Sequence, residues 1–225
     1  MILLRVRHQQ ASGALPGISL AVFLAFGQAC SASAAAIPAP MLNAEQSGTA
    51  IVFYAQPKMK EDLWPALFQA LRVDLADGAG ELPNGLVLDK EPIFVRGSED
   101  LRGVLFSRVI TVKLLGRCDL FPQTDRPALR GPLGWVMLVS GKVQPFVSID
   151  CTRLTQVLRP KLAGLTVEGR RYAVGQAIAH VLIHEWIHIA TQSSSHGARG
   201  IAQANLSVDE LIAGPMGSHL SGANR

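Results

Sequence analysis

Charge, cysteine and aromatic side chains are all scarce in this chain. Only 17% of its 225 residues are charged and no long run of like charge occurs, which excludes a disordered or tail-like polypeptide. Aromatic residues make up 6%, and none are interleaved with a basic stripe, so a pI near 9.2 is a poor argument for nucleic acid. No apolar run reaches the roughly 20 residues that a membrane span needs. What is abundant is hydrophobic residues, 48% of the chain and spread along it, enough for one compact domain with a core.

The first forty residues read differently from the rest. Arg5 and Arg7 precede an apolar stretch over residues 15–26, and Ser31-Ala32-Ser33-Ala34-Ala35-Ala36 then offers the small residues of an Ala-x-Ala cleavage site. The expectation is a signal peptide over residues 1–36, a loose lead-in over 37–48, and one domain over 49–225. Cleavage would leave an exported protein, periplasmic or secreted, without a stable membrane span. A lipoprotein modified at Cys30 is the weaker option, because Gly27-Gln28-Ala29 lacks the large aliphatic residue that such sites carry. Removing the two arginines of residues 1–36, a segment without acids, takes the net charge from +4 to +2.

Cysteine usage agrees with export. Of three cysteines, Cys30 falls in the leader, which leaves Cys118 and Cys151 as an even pair for an oxidising compartment. A Cys118–Cys151 disulfide is expected.

Branched and aromatic residues mark strand-like runs at residues 51–54, 86–88, 93–95, 104–106 and 109–115. Residues 135–139 and 143–149 flank Ser140-Gly141-Lys142 as a hairpin would. Leu63, Leu67, Phe68, Leu71 and Leu75 recur at helical spacing, with Pro65 tolerated in the first turn. From about Glu168 to Ala190 the sequence runs almost without a breaker, and Val174, Ile178, Val181, Leu182, Trp186 and Ile189 make the segment apolar on most sides. The fold class expected is α+β, a mixed or antiparallel sheet with a buried helix late in the chain.

That late helix carries His180, His184, Glu185 and His188. Four residues apart on a helix, His184 and His188 project from one face and can share one Zn2+. Glu185 sits beside them, placed to take a proton from a metal-activated water and return it to a leaving amine. Two ligands do not hold a catalytic zinc, so a third must come from downstream. His196 is favoured, because Thr191-Gln192-Ser193-Ser194-Ser195 ends the helix and Gly197 eases a return. Glu210 is the alternative, although a carboxylate in Ser207-Val208-Asp209-Glu210 is also what a helix start recruits. Asp209 and His219 have less support. His180 reads as a core histidine or a partner to a ligand. Tyr54, Tyr172 and His219 are the candidates for steadying an oxyanion.

His184-Glu185-Trp186-Ile187-His188, with His196-Gly197 and Gly200-Ile201-Ala202, resembles the zincin-type metallopeptidases, in particular a group of exported bacterial proteins with a later His-Gly or His-Ser segment. The likeness extends upstream through Leu115-Gly116-Arg117-Cys118, Leu133-Gly134-Trp135 and Asp150-Cys151, over about the last 120 residues. It implies a small zincin-like fold, His184 and His188 as zinc ligands, and Glu185 as base. The chain departs from the metzincin pattern, in which the third histidine follows the second by six residues with a glycine between. Met216 is the one late methionine that could form the methionine turn of that group, and Ser207-Val208-Asp209-Glu210 matches the second-helix segment of thermolysin-like enzymes only loosely.

The function expected is therefore zinc-dependent hydrolysis of a peptide or protein substrate, with zinc-bound water as nucleophile and Glu185 as general base. The alternative is a non-catalytic, zinc-stabilised envelope protein that binds a protein partner. A fourth ligand closing the site, from His180 or Glu210, would favour that alternative.

Overall fold

The computed structural model describes residues 48–56, 59–77, 88–89, 91–97, 104–122, 130–197 and 200–214, together with the two-residue strands Ile2–Leu3 and Arg7–His8. Apart from those four residues and Gly48, the expected leader and lead-in lie outside the described residues, as do Cys30, Met216 and His219.

Five strands and four α-helices follow one another as β1 (Thr49–Gln56), α1 (Leu63–Ala76), β2 (Ile93–Arg96), β3 (Arg108–Leu115), β4 (Gly134–Val139), β5 (Lys142–Asp150), α2 (Cys151–Leu162), α3 (Val167–Thr191) and α4 (Val208–Ile212). A 3-10 turn, Gly200–Ala202, and a two-residue strand, Asn205–Leu206, lie between α3 and α4. The sheet order is β4-β5-β3-β1-β2, with Arg7–His8 pairing beside Met137–Leu138 of β4. Only β4 and β5 pair antiparallel within the five; β5, β3, β1 and β2 all run parallel. The sheet is thus mixed, one of the two arrangements expected, and the fold is a mixed α/β domain.

Register explains where the core forms. Ile51 pairs with Ile110, Phe53 with Val112, Val112 with Val147, Leu114 with Ile149, and Val147 with Val136, which aligns these apolar side chains on one face. All are buried. α1 packs there through Trp64 and Phe68, whose rings stand 5.9 and 5.5 Å from Phe53. α3 lies beside α1 and against β4 and β5. The two helices touch closely at Gly175, where a Cβ would stand 2.9 Å from the carbonyl carbon of Ala66 and the nitrogen of Leu67.

The expected hairpin is present, with Ser140 and Gly141 both at positive φ (50° and 77°), the twist that a two-residue turn between strands requires. The helix expected from residue 168 to 190 runs Val167–Thr191; Thr166 caps it by accepting from Gly169 N–H, and Gln192 ends it in the left-handed conformation. One expectation needs correction, and another falls mostly outside the described residues. Residues 104–106 belong to no strand, since three apolar residues find no neighbour to pair with. Of residues 86–88 only Leu88 is described, and it lies outside the strands. The chain after the hairpin reads as helical from sequence without bounds for α2; Asp150 starts it directly from the end of β5 by accepting from Arg153 N–H at 3.0 Å.

The disulfide joins Cys118, just past β3, to Cys151, the first residue of α2, with Cα atoms 4.7 Å apart. This covalent tie suggests a non-reducing compartment. No helix among the described residues is long and apolar enough to cross a membrane.

Candidate metal centre

Burial decides what the polar residues of α3 must do. His184 and Glu185 are 1% exposed and His188 is 2% exposed, so each needs a partner or a ligand. The two histidines find theirs in the segment that follows the helix. His184 Nδ1 lies 2.6 Å from the carbonyl oxygen of Ile201, and His188 Nδ1 lies 2.7 Å from that of Ser193. A carbonyl can only accept, so both Nδ1 atoms carry the proton and donate. Both Nε2 atoms are then bare lone pairs, and they stand 3.1 Å apart.

The same segment brings in His196. Its ring centroid is 5.3 Å from that of His184 and 4.8 Å from that of His188. One ligand atom from each of the three histidines lies within 4.8 Å of the others, so His184, His188 and His196 could together hold a metal ion. His196 Nε2 is buried without a hydrogen-bond partner among the described residues. The return is fixed locally by the Gly197 N–H, which donates to Ala202 O at 2.8 Å.

Electrostatics keep this cluster neutral. Burial, reinforced by the neighbouring imidazoles, pushes the His184 pKa down to about 3, against a partial upward pull from the Ile201 carbonyl. Burial likewise lowers His188 and His196. Neutral imidazole is the form that binds a metal.

Glu185 meets β4 at Gly134. Neither carboxyl oxygen has a hydrogen-bond partner among the described residues, and burial raises its pKa to about 8. Its space comes from Gly134 of β4, where a Cβ would lie 3.1 Å from Glu185 Oε1 and 2.5 Å from Val181 Cγ1. A bare Cα at that position lets α3 approach the sheet with the carboxyl between them.

The other residues considered are committed elsewhere. Glu210 forms a capping box with Ser207 and accepts from Gln203 Nε2 at 2.8 Å; the hydrogen bonds from Ser207 hold its pKa below the usual range. Asp209 pairs with Lys161 at 2.7 Å on the surface. His180 contacts Asp74 and Gln176. Tyr54 lies on β1 with its ring over Gly97, and Tyr172 is three helical turns before His184, so neither joins the histidine cluster. Residue patterns could not reveal the carbonyls of Ser193 and Ile201, which carry no side-chain signature.

No protein-family model, curated protein or solved structure matches this chain.

Proposed function

We propose that this protein is an exported, zincin-like zinc metallopeptidase, with His184, His188 and His196 as the metal ligands and Glu185 as the general base. The observation that carries the reading is the division of labour at the site. Three neutral imidazoles converge with two Nδ1 atoms tied to carbonyls, and the carboxyl of Glu185, next to His184 in sequence, is buried with no hydrogen-bond partner among the described residues.

The donor set suits zinc, which takes three imidazoles and leaves a further position for substrate or water. When bound, zinc would supply a lowered water pKa and a polarised peptide carbonyl. The residues of the chain do the rest. Ile201 and Ser193 hold His184 and His188 in the tautomer that leaves Nε2 for the ion. Glu185 takes the proton of the attacking water on its carboxylate and passes it to the leaving nitrogen of the scissile bond. β4, which meets Glu185 at Gly134, would offer an extended peptide a strand to pair with once cleavage of the leader removes Arg7–His8 from its outer edge.

The non-catalytic alternative would be favoured by a fourth protein ligand from His180 or Glu210, and both make other contacts. Protein prepared without a His tag and without chelators should hold about one zinc per chain and cleave members of a quenched-fluorescence peptide library. Removal of the metal should abolish cleavage, and added zinc should restore it. Less than about a tenth of an equivalent, not restored by added zinc, would sink the reading.

A further inference from the structure

α3 is buried on nearly every side, with every residue from Ala173 to Ile189 inside the protein. A helix with a single apolar stripe is oriented by that stripe. One that is apolar all round is not, because turning it exchanges one apolar contact for another. The close approach at Gly175 is one constraint on its rotation, and a buried polar contact is a second.

Four of its polar residues fall on one line, Gln176, His180, His184 and His188, each four after the last. The later two belong to the metal centre. The earlier two meet Asp74 of α1: Gln176 Nε2 donates to Asp74 Oδ2 at 2.8 Å, and His180 Nε2 lies 3.3 Å from the same oxygen and 2.9 Å from Gln176 Nε2. Asp74, Gln176 and His180 are each 1% exposed or less.

We propose that Asp74, Gln176 and His180 form a polar key that fixes the rotation and register of α3 against α1, and so holds His184 and His188 where they can share one metal ion with His196. The three are positioning residues, not ligands, and the inference rests on the metal-binding reading of the histidine cluster. Replacing a buried polar cluster with apolar groups is often neutral or stabilising for the fold, whereas fixing a single register is the best-attested use of such a cluster. A slip of one residue would swing His184 by about 100° around the helix axis. The key acts one turn before His184, close enough to forbid that.

The test compares the full-length protein with two variants, Asp74→Leu/Gln176→Leu/His180→Leu and Asp74→Asn. Zinc affinity is measured by competition with a chromophoric chelator, and thermal stability is measured without zinc. The triple variant should melt no lower than wild type yet bind zinc at least about tenfold more weakly, the scale expected when groups that orient ligands are lost. Asp74→Asn keeps an acceptor oxygen for Gln176 and His180 and should stay within about threefold of wild type. Wild-type zinc affinity in the triple variant overturns the proposal. If the triple variant fails to fold, Asp74→Leu alone goes into the same assay, and wild-type affinity there overturns it equally. A wild-type protein that binds no zinc at all defeats the metal reading itself, an outcome distinguished because it appears before any substitution.

Discussion

His184 and His188 are held as a pair from outside their own helix: their Nε2 atoms stand 3.1 Å apart while each Nδ1 donates to a carbonyl of the segment that follows. That segment also carries His196. The helix therefore supplies two donors, and the return loop supplies both the third and the groups that orient the first two.

The third ligand can be tested by His196→Ala against Glu210→Ala. Losing His196 leaves two imidazoles and should weaken zinc binding by about a hundredfold or more. Glu210 is used by Ser207 and Gln203, so its loss should leave zinc affinity unchanged and cost about 1 kcal/mol of stability through the capping box. Competition titration and thermal melts read the two effects separately. An emptied site in Glu210→Ala with a full one in His196→Ala would reverse the assignment.

Glu185→Gln separates binding from chemistry. The amide nearly matches the carboxyl in shape and the residue is proposed as a base, so zinc content should stay near one per chain. Turnover on any cleaved peptide should fall by at least about a hundredfold. Loss of zinc in this variant would instead make Glu185 a ligand.

The disulfide can be checked on protein isolated without reduction. Cys118 and Cys151 are 33 residues apart in sequence, and closing such a loop stabilises by roughly 2–4 kcal/mol in the chain-entropy account. Mass spectrometry without reduction should find the linked peptide, and Cys118→Ser/Cys151→Ser should melt lower than wild type. Two alkylatable thiols in unreduced material would contradict the pairing.

What could be read from sequence was what is local. The almost breakerless apolar run defined α3 and put His184, Glu185 and His188 on it, because a helix period converts spacing directly into direction. α2 falls in the stretch that reads as helical but its bounds do not emerge, although their signal exists: Asp150 as cap, then Leu154, Leu158 and Leu162 four apart. It follows β5 without a break and contains Pro160, which together obscure the change of period. His196 was legible as a donor but not as a neighbour, since loop geometry determines where it returns. Asp74 lies on the buried side of α1, three residues after Leu71, and its meeting with Gln176 spans 102 residues of sequence. A polar residue on an apolar stripe signals a partner without naming it.

The pH dependence of the metal-free protein provides a check on the burial of Glu185. For His184 the folded pKa, about 3, lies below the ordinary 6.5, so between those values the unfolded chain holds a proton that the folded one does not. Stability from this group is therefore present above about 6.5 and is lost as pH falls towards 3. Glu185 acts in the opposite direction. Its folded pKa of about 8 lies above the ordinary 4.5, so from 4.5 to 8 the folded state holds the extra proton and stability falls as pH rises through that window. Glu185→Gln removes the second effect and leaves the first. Compared without metal, the variant's melting temperature should exceed that of wild type by an amount that grows from about pH 5 to about pH 8 and then levels off. A difference that stays constant over that range would mean that the Glu185 carboxyl is solvated or paired in solution, and its proposed role as a base tuned by burial would fail with it.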